Sequence, residues 1–327
     1  MNFGFNDEQQ EIKSTAKSFA ASRFKPEAVR ELAESKSYDD GVWKELCDLG
    51  WAGIAISEEH GGQGLGMVEL AILAEELGYA CAPTPFLANA CAGLALEWAG
   101  SDDQKAAHLE GIATGEARGA SGMADVCIDA EGASIVVIAG PGATNLVGPG
   151  STTFEPLDLI DDTRRYSKPS SVDGEALGGD LEAAFQRMDV VLAAELVGVA
   201  QRAMDMAVEY AKERHQFDRP IGAYQAVSHA CAQMLYDVEE ARSLTYYAAW
   251  AADAEPESLP LAAAMANARA SDAAWAVTKA SIQVHGGIGF TWEHDLHFLL
   301  KRARAGGQLF GTPSQHRERV AELAGMA

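Results

Sequence analysis

Basic residues are scarce in this sequence: 25 Lys and Arg stand against 48 Asp and Glu, a formal charge of −23 over 327 residues. That balance excludes a nucleic-acid binder, which needs a cationic footprint to displace counterions, but leaves room for a small anion held by a local donor cluster. Long apolar runs are also missing. The closest approach to 18 uncharged apolar residues, around 190–200, is interrupted by Glu195, so no membrane span is expected. The five cysteines (Cys47, Cys81, Cys91, Cys127, Cys231) lack metal-ligand spacing. Four of them sit among apolar or small neighbours, which predicts buried, reduced thiols and no metal site. The amino-terminal stretch MNFGFNDEQQEIK is acidic and polar, unlike an export signal, and a cytoplasmic location is the expectation. With only 11 prolines and 48% hydrophobic residues the chain reads as globular.

The periodicity is helical at both ends of the chain and not in the middle. A helix is expected from Asn6, with Gln9 completing a capping box, to about Arg23. Others are expected over 38–48, 67–79 (strongly amphipathic), about 86–98 and 102–114, with 49–56 a buried connection followed by a glycine-rich loop. Residues 116–181 carry short runs rich in β-branched residues, at 126–128, 134–138, 144–148 and 153–157, between turns such as the Gly-Pro-Gly stretches at 140–142 and 148–150. That predicts a small β domain of roughly five to seven short strands. Long helices then cover about 181–213, 222–253 and 261–285, with shorter ones at 294–304 and 313–325, which suits an antiparallel bundle that also supplies a subunit interface. The fold class is therefore mainly α with a small β domain: an amino-terminal helical domain (1–115), a β domain (116–181) and a carboxyl-terminal bundle (182–327).

The stretch that organises the chain is 207–235, where one helix ends near Arg214, the chain turns at Pro220-Ile221-Gly222, and the next helix starts near Tyr224. Arg214, His215, Gln216, Gln225 and His229 crowd this break. Donors gathered where helices meet can form an anion or ring-edge site, since Arg offers a rigid fork and a helix start offers free N–H groups. An ordinary helical hairpin with a solvated arginine fits the same spacing.

Three stretches, AVEYAKERHQF with PIGAYQAVSH (207–229), IQVHGGIGFTWEHDLH (282–297) and DLGWAGIAISEEHGGQGLG with AEELGY, in this order, resemble the acyl-CoA dehydrogenase family of flavoproteins over nearly the whole chain. The resemblance implies FAD as cofactor. It implies that Arg214 reaches the FAD pyrophosphate of a neighbouring subunit, that Phe217 packs near the cofactor, that Gln225 contacts the dinucleotide, and that Gln283, Gly286 and Gly287 pass close to the adenosine across the interface. A planar fork grips phosphate and glycines permit close backbone approach, so the residue types suit those roles. Without the family, Gln283 and the paired glycines are a plain helix end.

Three departures set this chain apart. The family's LTEPxxGSD-like segment, which holds the flavin ring and the thioester, has no counterpart in GEARGASGMAD at 116–126. The family's base glutamate, in a YEGT-like stretch, is matched by LFGT (309–312), with Phe310 where the carboxylate belongs. Asp218 replaces the glycine after the motif phenylalanine and brings a negative charge near Arg214. Relatives that keep the base near the start of the first bundle helix point to FQRMD (185–189), hence Asp189. Glu195 is a second carboxylate in an apolar setting, readable either as a base of raised pKa or as a paired structural group between helices.

A shortened β domain with no recognisable base but intact interface motifs resembles the base-lacking subunit of heteromeric, α2β2 actinobacterial steroid-CoA dehydrogenases. That resemblance implies a homologous full-length acyl-CoA dehydrogenase subunit as partner, a CoA thioester undergoing α,β-desaturation as substrate, and an electron-transfer flavoprotein as acceptor. A self-sufficient homomeric enzyme using Glu195 or Asp189, and a cofactor-free scaffold of the same fold, are the alternatives.

Overall fold

The computed structural model describes residues 4–140, 143–148 and 150–326. Six helices come first: α1 (Asp7–Arg23), α2 (Pro26–Glu34), α3 (Asp40–Asp48), α4 (Met67–Tyr79), α5 (Phe86–Ala99) and α6 (Asp102–Thr114). The capping box opens α1, with the Asn6 carboxamide accepting from Gln9 N–H and the Gln9 side chain accepting from Asn6 N–H. Helix α2 was not expected; Pro26 at its first turn fixes φ, and Val29 and Ala33 bury one face. Helix α4, expected to be amphipathic, is buried over the whole of Leu70–Gly78, because α1, α7 and α8 surround it. The acidic Glu75 on it is satisfied by Arg242 and by the Tyr246 hydroxyl.

Among the described residues the sheet has seven strands: β1 (Gly119–Met123), β2 (Val126–Ile128), β3 (Ile135–Gly140), β4 (Ala143–Val147), β5 (Phe154–Leu157), β6 (Tyr166–Pro169) and β7 (Glu175–Ala176). Their order is β5-β6-β2-β1-β3-β4-β7, antiparallel except for the β1–β3 pair. Strand β1 lies outside the expected strands. Its sequence GASGM has no β-branched residue, and it is a strand because β2 and β3 hydrogen-bond it from both sides. Two residues, Ala124 and Asp125, turn β1 into β2, with Met123 paired to Val126. The Gly-Pro-Gly turns expected at 140–142 and 148–150 fall partly outside the described residues.

The bundle follows as α7 (Leu181–Glu213), α8 (Gln225–Ala254) and α9 (Leu259–His285), of 33, 30 and 27 residues, running up, down and up. Helix α10 (Leu296–Gly306) packs on α7 and α9, and α11 (Pro313–Leu323) packs on α9. Two glycines set how closely the first helical region meets the bundle. A Cβ on Gly78 of α4 would lie 2.2 Å from the Glu195 carbonyl oxygen, and one on Gly198 of α7 would lie 2.0 Å from the Glu75 carbonyl oxygen. Helices α4 and α7 therefore cross backbone to backbone, which side chains at either position forbid. The break between α7 and α8 is more ordered than a plain turn. Residues His215–Gln216 (β8) and Arg219–Pro220 (β9) form a two-stranded ribbon whose tip residues, Phe217 and Asp218, have φ of 51° and 62°. Among the described residues no helix is long and apolar enough to cross a membrane, and all five cysteines are free.

Candidate functional site

The ends of α7 and α9 meet through a ring contact. Tyr210 stacks on His285 with centroids 4.6 Å apart, and His294 approaches the other ring edge-on at 4.6 Å. Burial lowers the pKa of His285, so the ring is neutral at pH 7 and its Nδ1–H donates to the Ser281 carbonyl at 2.8 Å. Four residues beyond Tyr210, Arg214 caps α7, its N–H donating to the Tyr210 carbonyl. The β8–β9 ribbon is held by Tyr224, whose hydroxyl donates to the Gln216 carbonyl while the Arg219 guanidinium stacks on its ring at 3.9 Å. Gln225 opens α8, and Gln283 lies on the last turn of α9. Gly286 has φ +62°, and a Cβ on Gly286 or Gly287 would meet nothing within 4 Å.

The six residues named for cofactor contact thus come together at one end of the bundle, and all are solvent-exposed, Phe217 at 88%. Among the described residues no ion pair engages Arg214, so Asp218 does not neutralise it within 4 Å. A forked, unpaired cation, two free carboxamides and bare glycine backbone fit the pyrophosphate and adenosine parts of a dinucleotide arriving from outside the chain. Phe290, 84% exposed, and Trp292 continue the same surface.

Glu195 occupies a different environment. Its Oε1 accepts from Arg164 Nη2 at 2.6 Å and from Arg302 Nη1 at 2.9 Å, with all three side chains buried. Arg302 also donates through Nε to Asp161 Oδ2 at 2.9 Å and through Nη2 to the Thr163 carbonyl at 3.1 Å. Burial alone would raise the Asp161 pKa, but Arg302 and Arg164 hold it below the usual carboxylate value. Glu195 therefore ties α7 and α10 to the segment leading into β6. Neither Arg164 nor Asp161 was singled out from the sequence; charges in a polar loop give no sign that tertiary contacts bury them.

Asp189 opens on a large cavity, of about 690 Å³, which Glu182 also lines. Met123 of β1, Phe185 of α7 and the 309–312 stretch with Phe310 line it alongside Asp189, and His316 of α11 stands opposite. Burial raises the Asp189 pKa well above the ordinary value, although Asn267 Nδ2 donates to its Oδ1 at 3.0 Å. His316 Nε2 is 3.8 Å from the same oxygen and has no hydrogen-bond partner among the described residues. Burial lowers the His316 pKa, leaving the imidazole neutral. Twenty-five residues of continuous helix separate Asp189 from Arg214, about 37 Å along the axis. The cavity and the exposed donor set are accordingly two places at opposite ends of α7.

The family described as acyl-CoA dehydrogenase, N-terminal domain, matches residues 6–116, and acyl-CoA dehydrogenase, C-terminal domain, matches 181–324. The strand-rich region lies between the two. The chain is 37% identical over 312 residues to acyl-CoA dehydrogenase IpdE2 of Mycobacterium tuberculosis, covering 94% of this chain and 95% of that protein. Among solved structures it is similar to the Tcur3481-Tcur3483 steroid ACAD G363A variant, with a TM-score of 0.88, 26% identity and 98% of each chain covered. The ChsE4-ChsE5 complex from Mycobacterium tuberculosis shares the fold at a TM-score of 0.88 and 22% identity, with 100% of each chain covered.

Proposed function

The chain belongs to the acyl-CoA dehydrogenase family, and from that premise we propose that it is one subunit of a heteromeric, FAD-dependent enzyme whose catalytic base and flavin-ring pocket come from a homologous partner chain. The observation that carries this reading is the two-residue turn at Ala124 and Asp125, where the family places the segment that holds the flavin ring. Phe310 supports it from the other side, since an aromatic ring cannot accept a proton. The separation of about 37 Å between Arg214 and the cavity of Asp189 is further than an extended dinucleotide reaches. A cofactor gripped at Arg214 therefore presents its reacting end to another chain.

The cofactor is FAD, which when bound takes the β-hydride as a base removes the α-proton of a CoA thioester. Arg214 holds the pyrophosphate, Gln225 and Gln283 hydrogen-bond the dinucleotide, Gly286 and Gly287 let the backbone approach the adenosine, and Phe217 closes over it. The likeness to a steroid ACAD points to a steroid side-chain acyl group, and an electron-transfer flavoprotein reoxidises the flavin. Co-expression with the homologous partner tests the reading: a yellow complex forms with the partner, and the chain alone stays colourless.

One observation favours a second reading. Of the two candidate carboxylates, Asp189 faces open volume, opposite Phe310, and a homomeric enzyme would use it as base. A yellow preparation of the chain alone, bleached by an acyl-CoA, decides for this alternative.

A further inference from the structure

A hollow of about 280 Å³ opens where the amino-terminal helices meet the bundle, bounded by α1, α2, the end of α4, α7 and α10. Its floor is apolar: Phe24, Val29, Cys81, Phe298 and Leu299 are buried beneath it, and Met206 completes it. Small residues leave the space unfilled. Ala20 and Ala21 of α1, and Ala80 just past α4, stand where longer side chains would close it. The volume is near the lower end for small-molecule sites, about 300 Å³.

Five charged side chains line the hollow, and they sort into two kinds. The acids are already engaged by cations that do not line it: Glu76 pairs with Lys13 at 3.2 Å, and Asp295 pairs with Arg30. The cations are not so engaged. Among the described residues no ion pair within 4.0 Å involves Lys17, Lys25 or Arg202. Arg202 is half-buried, with its guanidinium over the Tyr79 ring at 5.4 Å. The Tyr79 hydroxyl donates to Asp205, which does not line the hollow, at 3.0 Å. Lys17 and Lys25 rise from exposed positions on α1 and at the turn before α2.

A chain of formal charge −23 thus gathers three cations without acidic partners around one apolar hollow. An uncharged solute would use only the floor, and an inorganic anion only the rim. A solute that uses both has an anionic head and a short hydrocarbon tail. Arg202 stands twelve residues before Arg214 on α7, about 18 Å along the axis, so the hollow is distinct from the donor set at the bundle end.

We propose that this hollow is a binding site for a medium-chain monocarboxylate, with Arg202 and the two lysines holding the carboxylate and the alkyl tail lying on Phe24, Met206 and Phe298. The Arg202 fork can take both carboxylate oxygens, and the lysines add a screened attraction from the rim. Each methylene that leaves water for the floor adds apolar burial. The tail touches α1 and α2 as well as α7 and α10, so occupancy ties the amino-terminal helices to the bundle and stabilises the native state.

The test uses the full chain and four probes built on one alkyl length: octanoate, octanol, octyltrimethylammonium and octanoyl-CoA. Isothermal titration calorimetry should show saturable binding of octanoate, with octanol at least about tenfold weaker and octyltrimethylammonium weaker still. Arg202→Gln should weaken octanoate by about tenfold, and Lys17→Gln and Lys25→Gln by about two- to fivefold each, with octanol unaffected. Ala21→Trp fills the hollow from an exposed position on α1, which spares the core. It should abolish octanoate binding, together with the rise in melting temperature that octanoate gives the original protein. Octanoyl-CoA, whose alkyl chain ends in an uncharged thioester, should not displace octanoate. Absence of saturable octanoate binding, equal binding of octanol, or unchanged octanoate affinity in Ala21→Trp overturns the proposal. Displacement by octanoyl-CoA also overturns it, by putting octanoate in an acyl-CoA site instead. Flavin content of the samples bears on none of these outcomes, so the proposal and the functional reading above fail separately.

Discussion

Tyr210 lies against His285 with ring centroids 4.6 Å apart and planes 24° from parallel, and this contact joins two motifs that are 75 residues apart in the chain. One motif continues from Tyr210 into Arg214 and the β8–β9 ribbon, and the other continues from His285 into Gly286 and Gly287. Replacing Tyr210 by Ala should leave the long helices in place but loosen their ends. The expected result is a fall in flavin retention of severalfold in the complex, smaller than removal of Arg214 itself, read from absorbance of released flavin after gel filtration.

Arg214→Ala removes the forked cation that no acidic side chain engages among the described residues. Loss of one charge-assisted contact to phosphate is worth about 1.5–3 kcal/mol, so FAD affinity of the complex should fall by roughly 10- to 150-fold. Fluorescence titration of the apo-complex measures it. Unchanged affinity would remove Arg214 from the site.

Glu195→Ala leaves Arg164 and Arg302 buried beside a missing carboxylate, with Asp161 still paired to Arg302. Breaking a buried ion pair from one side costs about 3–5 kcal/mol. The chain should unfold at markedly lower temperature or denaturant, and a variant as stable as the original would mean that the cluster does not join the helices.

The α4–α7 crossing gives a steric counterpart. Gly198→Ala places a methyl group 2.0 Å from the Glu75 carbonyl oxygen, and neither backbone can move without moving its helix. Overpacking of this kind costs about 1–3 kcal/mol, readable as a lower midpoint in urea.

Asp189 fixes the sign of one pH effect. Its folded pKa is raised by burial, so the native state keeps a proton that the unfolded chain has released above about pH 4. Its contribution to stability is full below the unfolded value and is lost as pH rises through the interval up to the folded value. The groups facing it, Asn267 and a neutral His316, do not reverse that sign. Asp189→Asn removes the titration, and its melting temperature relative to the original protein should rise as pH is raised above about 4, the unfolded carboxyl's value. A difference independent of pH would mean that the carboxyl is ionised in the native protein.

Much of the architecture was legible because it is local. The helices of 33, 30 and 27 residues carry their own periodicity, and Asn6 with Gln9 announces the start of α1. Helix α2 is legible only in principle, since Pro26 precedes apolar positions at helical spacing but the nine-residue segment is short. Strand β1 was not legible: GASGM favours no strand and becomes one through its neighbours. The motif residues around Arg214 and Gly286 could be named from the resemblance, whereas the stack that unites them could not. Pairing of Glu195 with Arg164 and Arg302, and the approach of His316 to Asp189, bring together residues 31 to 127 positions apart, a separation at which sequence pattern carries no contact information.

The central claim is that this chain is part of an active centre completed elsewhere, and single-turnover flavin reduction tests it most directly. The chain alone, its complex with the homologous subunit, and the same complex with the partner's base carboxylate changed to an amide are each mixed anaerobically with a CoA thioester. Bleaching of flavin absorbance by the intact complex alone is the result this account predicts. Bleaching by the chain on its own, or by the complex carrying the disabled partner, would contradict it.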